Sequence, residues 1–130
     1  MSRQQSGFTL IELIAVLVIL GILAATAVPQ FINLSDEAQL AAIESIAGSI
    51  ESASALNHAV DIAVEAGLST DPFTVVDDCQ DGAALLSGGA LPDNFNITSA
   101  AVGDRVTVTC VLNGPTGYPP ANFQIIGTRN

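Results

Sequence analysis

From Phe8 to Val28 the chain reads FTLIELIAVLVILGILAATAV. Seventeen of these 21 residues are apolar, and Glu12 is the only charge among them. As a helix rising about 1.5 Å per residue, the stretch is roughly 31 Å long, against about 30 Å of bilayer hydrocarbon. It therefore predicts a helix able to cross a membrane. Outside it the apolar share falls to roughly 43%, ordinary for a globular domain.

The whole chain has 130 residues, enough for one domain with a core of its own. It is 49% hydrophobic and 12% charged, with 13 acidic residues, three arginines and a formal charge of -10. That balance excludes a basic nucleic-acid binder and an electrostatic anchor on anionic lipid, because almost nothing here neutralises phosphate. The aliphatic content also excludes a charge-rich disordered tail.

Three readings of the apolar stretch compete. It can be a secretory signal peptide cut after Ala27, where Ala25-Thr26-Ala27 offers a small-x-small site. It can be an uncleaved anchor. Or residues 1–7, MSRQQSG, are a short leader removed ahead of the stretch. Glu12 favours the last. A carboxylate inside an apolar helix costs up to about 2.5–3.5 kcal/mol in lipid, and neither a signal peptide nor an anchor has a use for it. Cleavage would take Arg3 away with the leader, so the nearest cation would be a new amino group on Phe8.

Gly7-Phe8-Thr9-Leu10-Ile11-Glu12 resembles the processing motif of type IV pilins and pseudopilins. The resemblance implies cleavage between Gly7 and Phe8 by a prepilin peptidase, N-methylation of Phe8, and pairing of Glu12 with the Phe8 amine of a neighbouring copy during assembly. Gly21 and Pro29 fall where such pilins carry helix-loosening residues. Pro29 removes one helix hydrogen bond and crowds the preceding turn, which predicts a kink or local melting.

Apolar periodicity continues past Pro29. Ile43, Ile46, Ile50, Ala53, Val60 and Val64 recur at helical steps, with Asn57 the polar member of the seam. Glu37, Glu44, Glu51 and Glu65 lie at multiples of seven residues, with His58 in the gap, and read as a solvated acidic stripe. Small residues at 47–49 and 52–55 would permit close approach to a sheet or helix. The helix should run from Phe8 to about Ala66 and be capped by Gly67, with 29–66 an amphipathic continuation of 8–28. Such a rod is about 90 Å long, so its first half must lie in a membrane or in a bundle of copies of itself.

Residues 67–130 read as a head of strands and turns. Arg105–Val111 alternates, with Val106, Val108 and Cys110 on one face. Phe95–Val102, Asn122–Gly127 and a short Phe73–Val76 are further strand candidates. The expected fold class is α+β: a long N-terminal helix with a small antiparallel sheet of three or four strands on its C-terminal half. Cys79 and Cys110 read as one disulfide in an exported chain, closing about 32 residues. Two inert core thiols or a redox pair are the competing readings, the latter without a C-x-x-C motif. A C-terminal bridge agrees with the pilin resemblance. The stretches 28–36 and 52–57, with one cysteine in each half of the head, resemble mannose-sensitive-haemagglutinin type pilins more particularly.

Asp77, Asp78 and Asp81 form the densest acidic cluster and a weak calcium candidate, without the spacing of an EF-hand loop. A solvated loop is the plainer reading. His58 has no second nitrogen ligand, and no Ser/His/Asp set can be built on it. Asn33 and Asn96 each begin an N-x-S/T sequon, read as chance matches. No catalytic residue, metal or cofactor is expected, and nothing here points to an enzyme.

The resemblance implies a structural subunit that polymerises through its N-terminal helices. It would be held in the bacterial inner membrane as a precursor and then built by the pilus assembly machinery into an extracellular pilus (fimbrium) for attachment, motility or biofilm formation. A type II secretion pseudopilin, forming a periplasmic pseudopilus with the secretion machinery, is the first alternative. An exported binding module cut after Ala27 is the second.

Overall fold

The computed structural model describes residues 7–129. The elements in order are helix α1 (Leu10–Glu65), a 3-10 helix (Cys79–Leu85), and strands β1 (Asn96–Ile97), β2 (Thr107–Asn113) and β3 (Ala121–Ile126). This is the expected α+β class. Two compact units divide at Ala38/Gln39, the second running from Gln39 onward. The leader expected at 1–7 lies, apart from Gly7, outside the described residues.

In the first unit, every large apolar side chain from Leu10 to Leu23 is more than half exposed; the least exposed is Ile14, at 51%. An apolar surface on all sides is what a helix shows when lipid or other helices are meant to cover it. Helical structure continues through Pro29 without a break, so no melting is seen there. Thr26 turns its hydroxyl back on the carbonyl of Leu23 at 2.9 Å, which satisfies it inside the stretch.

The second unit is built on the C-terminal part of α1. That helix ends as the Gly67 signal predicts. Gly67 has φ +70°, its N–H reaches Val64 O at 3.1 Å, and Leu68 N–H reaches Ala63 O at 2.8 Å. This pair of bonds is a Schellman cap, closed by the residue that tolerates a left-handed backbone. The helix face in contact with the sheet is Ile43, Ala47, Ile50, Ser54 and Asp61. Of the expected seam, Ile43 and Ile50 are buried at the contact, Ile46, Ala53, Val60 and Val64 flank it half-buried, and Ala47, Ser54 and Asp61 fill the rest of its centre. Ala47 and Ser54 allow close approach, as the small-residue cluster suggested.

The sheet has three antiparallel strands in the order β1-β2-β3, with Ile97 opposite Leu112 and Cys110 opposite Phe123. Its inner face supplies Ile97, Cys110, Leu112, Phe123 and Ile125, which form one core with Ile43, Ala47 and Ile50 of α1. Strand β2 starts later than expected. Arg105 has φ +56° and Val106 is half exposed in the preceding turn, so the alternating inner face is Val108, Cys110 and Leu112. The expected strand Phe95–Val102 shrinks to Asn96–Ile97, because the chain then turns away to meet Asp78 through a single bridge at Ala101. Phe73–Val76 is not a strand. Thr74 is held by both ends of the Asn57 side-chain amide, at 2.8 Å each, and Val76 N–H by Thr128 Oγ1 at 2.9 Å. The link between β2 and β3 is seven residues long and contains Gly114, Pro115, Pro119 and Pro120.

The four glutamates of the acidic stripe are all exposed, and two of them also bond the head. A seven-residue repeat on a straight α-helix drifts about 20° per heptad. Glu51 and Glu65 are thereby carried toward the head, where Glu51 accepts the Gln124 N–H at 3.1 Å and Glu65 pairs with Arg105.

Candidate functional site

The chemistry of the N-terminal segment begins at Thr9. Its carbonyl takes the first helical hydrogen bond, from Leu13 N–H at 3.2 Å, which makes Thr9 the N-cap of α1. Glu12 lies three residues on. The Thr9 N–H and hydroxyl donate to Glu12 Oε2 at 2.8 and 3.1 Å, and the Glu12 N–H reaches Thr9 Oγ1 at 3.3 Å. This is a capping box: each residue satisfies a donor that the first helical turn leaves open. Its sequence signal, T-x-x-E before an apolar run, was present at Thr9-Leu10-Ile11-Glu12. Glu12 is thus anchored at the head of the apolar helix, one turn from Phe8, whose side chain is 89% exposed. Gly7 precedes the helix with open space around its Cα, and Gly21 is equally uncrowded inside it.

The other candidates are placed as follows. Cys79 and Cys110 form the disulfide, with Cα atoms 5.8 Å apart, joining the start of the 3-10 helix to β2. Both are buried in the core, where the bridge ties an irregular segment to the sheet. The Asp77–Asp81 cluster is a second capping box. Asp81 Oδ2 accepts the N–H groups of Asp77 and Asp78, at 3.0 and 2.9 Å. Asp78 Oδ1 accepts Gln80 N–H at 2.8 Å, and its Oδ2 accepts the Ser99 hydroxyl at 2.7 Å. These bonds, the Gln80 N–H first, hold the Asp78 carboxyl below its ordinary value of 3.8. The carboxylates of Asp78 and Asp81 thus serve the loop's own donors. Among the described residues, no group of three or more His, Cys, Asp or Glu side chains is arranged to hold a metal ion. His58 is half-buried beside the helix–sheet contact. Asn96 and Thr98 both accept from the Asn113 side-chain amide, at 3.0 and 3.1 Å.

Sequence reasoning missed Asp61. It is 0% exposed and meets Arg129: Nε to Oδ1 at 2.7 Å, backbone N–H to Oδ2 at 3.3 Å, and a terminal guanidinium nitrogen to the Asp61 carbonyl at 3.2 Å. Arg129 also lies over the Phe73 ring, 5.8 Å from its centroid. Burial pushes the Asp61 carboxyl upward. The hydrogen bonds and charge of Arg129, with Arg105 behind them, outweigh that and hold it below 3.8. An acid four residues past Asn57 on the same face was the available signal.

Residues 2–28 match the family described as the prokaryotic N-terminal methylation motif. Over 50 residues the chain is 52% identical to the type IV narrow pilus major component PilA5 of Thermus thermophilus, covering 38% of this chain and 43% of that protein. It is 63% identical over 38 residues to the type II secretion system core protein G of Pseudomonas aeruginosa, covering 29% and 27%. A type IV major fimbrial protein FimA of Dichelobacter nodosus is 45% identical over 53 residues, covering 41% and 34%. In each case the match spans less than half of the relative. No solved structure matches the chain.

The Gly7–Glu12 segment and the apolar helix behind it are therefore those of a methylation-motif protein. Over its N-terminal segment the chain is similar to a pilus component, to fimbrial proteins and to a secretion-system core protein.

Proposed function

We propose that this chain is the structural subunit of a type IV pilus. It is cut between Gly7 and Phe8, methylated on Phe8, and polymerised through its N-terminal helix into an extracellular filament. The observation that carries this reading is Glu12, a carboxylate fixed by Thr9 at the head of an apolar helix exposed on all sides. In lipid the helix is covered, and it can leave lipid only for an equally apolar bundle of identical helices. Glu12 then finds a cation only where another copy's Phe8 amine is placed, so it sets register more than it adds stability. Before assembly the precursor sits in the inner membrane through residues 8–28, which are long and apolar enough to cross it. Removal of Arg3 leaves two arginines against 13 acids, which makes the polymer strongly anionic.

A type II secretion pseudopilus subunit is the second reading, favoured by the 63% identity to core protein G over 38 residues. The disulfide-stapled head supports the pilus reading over it. Glu12→Ala tests the register role. The variant should insert and be processed as wild type yet be missing from shear-released filaments. Normal piliation would defeat the argument from Glu12.

A further inference from the structure

Five side chains of α1 reach the rest of the head along one line. Glu51 accepts Gln124 N–H at 3.1 Å, and Ser54 Oγ accepts Ile126 N–H at 2.8 Å. Asn57 bonds Thr74 at both its N–H and its carbonyl, Asp61 takes Arg129, and Glu65 pairs with Arg105. They follow at steps of three, three, four and four residues, so each lies about one turn beyond the last, over about 21 Å of helix axis. One turn before this line begins, the contact is apolar, through Ile43, Ala47 and Ile50.

Two features mark the polar part as more than a filled interface. First, Ser54 and Asp61 are 1% and 0% exposed, at positions equivalent to those that Ile43 and Ile50 occupy nearer the start of the contact. Buried polar pairs there add little over well-packed apolar residues, but they define register. Ser54 takes the Ile126 N–H and the exposed Glu51 takes the Gln124 N–H, two groups of β3 that would otherwise be open edge donors. Second, the pairs ascend together: residue 51 meets 124, 54 meets 126 and 61 meets 129. The β3 segment and α1 therefore run parallel. Opposite pulls on the beginning of α1 and on Arg129 load these three pairings in shear directly, and the Asn57–Thr74 pairing through Thr128 Oγ1, which donates to Thr74 O at 3.1 Å.

We infer that this line of side chains is a shear clamp, which keeps the sheet from sliding along α1 when tension enters through the apolar helix. Hydrogen bonds weaken steeply with small displacements, whereas apolar contact is non-directional and yields by gradual sliding. Glu51, Ser54, Asn57, Asp61 and Glu65 therefore resist the start of motion, and Ile43, Ala47 and Ile50 hold the surfaces together. The filament reading supplies only the source of the tension; the clamp belongs to the single chain.

The test is single-molecule pulling on the full chain in detergent, with handles at its two ends. Ser54→Ala combined with Asn57→Ala is compared with an apolar-contact variant, Ile50→Val, under solution conditions that match their thermal midpoints. The clamp variant should rupture at least about tenfold faster at a fixed force, the effect of one or two hydrogen bonds missing from the barrier. Equal rupture rates overturn the clamp. Ser54→Thr, which keeps a hydroxyl, should restore the wild-type rate over Ser54→Ala, and failure to do so also overturns it. If the double variant does not fold, Glu51→Ala, which removes the acceptor from an exposed side chain, serves the same comparison. Equal rates together with methyl-Phe8 at the start of filament subunits would sink the clamp alone. A clamp that holds in a chain never found in filaments would sink the filament reading alone.

Discussion

Asp61→Asn isolates the one buried charge among the described residues of the head. The substitution keeps the shape and one carbonyl-like acceptor but removes the charge that receives Arg129 Nε at 2.7 Å and its backbone N–H at 3.3 Å. Removing one partner of a fully buried ion pair costs about 3–5 kcal/mol, and an exposed pair about 1 or less. Arg129 lies between these limits, with 32% of its side chain exposed, so it can recover part of its hydration when Asp61 is lost. About 2–3 kcal/mol is expected, in line with hydrogen bonds to a charged group. For a domain of this size, that lowers the thermal midpoint by roughly 8–20 °C. The assay is circular dichroism melting of the full chain in detergent, first at neutral pH and then at falling pH. Because the folded carboxyl is held below 3.8, its stabilisation is complete above that value and disappears as the pH falls through the lower, folded-state value. The gap between wild type and variant should therefore close in strong acid. A wild-type midpoint for the variant at pH 7 would refute the reasoning. So would a gap that persists after Asp61 has been protonated.

Two other changes test the packing. A Cβ on Gly114 would lie 2.6 Å from Ile43 Cδ1, so Gly114→Ala should destabilise by about 1–3 kcal/mol. Gly48 has nothing within 4 Å, and Gly48→Ala on exposed helix should stabilise by up to about 1 kcal/mol, read from the same melts. Reduction of Cys79–Cys110 under non-denaturing conditions should cost about 3–4 kcal/mol, measured as a drop in urea midpoint with thiol titration confirming the reduced state.

Much of this was legible in the sequence because the strongest signals are local. An apolar run long enough to span a bilayer and a glycine after the last helical turn each mark the helix through neighbouring residues alone, and the alternation of Arg105–Val111 marks β2 to within two residues of its start. The centre of the helix–sheet contact was not legible in the same way. Large apolar residues drew the seam toward Ile46, Val60 and Val64, but contact was decided by what the β3 edge needed, donor by donor, and that edge is remote in sequence. The drift of Glu51 and Glu65 toward the head could have been worked out from helix geometry, whereas their partners could not. Phe73–Val76 has strand-like residues but no neighbouring strand, and side chains of Asn57 and Thr128 replace the ladder. In one dimension the Asp77–Asp81 cluster read as a solvated loop, with calcium a weak alternative. In three, Asp78 and Asp81 cap a 3-10 helix. At the candidate site, the motif from Gly7 to Glu12 was readable as a resemblance. The bond from Thr9 that fixes Glu12 rests on a capping signal spanning only four residues.

The residue at which the mature chain begins separates the pilus subunit most directly from an exported module. Surface material sheared from cells making this protein should be separated, and the subunit's N-terminal peptide sequenced by mass spectrometry. The chain recovered from filaments should start at Phe8 and carry one added methyl on that amine. A chain starting at Val28, or one still carrying residues 1–7 in assembled filaments, would contradict the pilus reading.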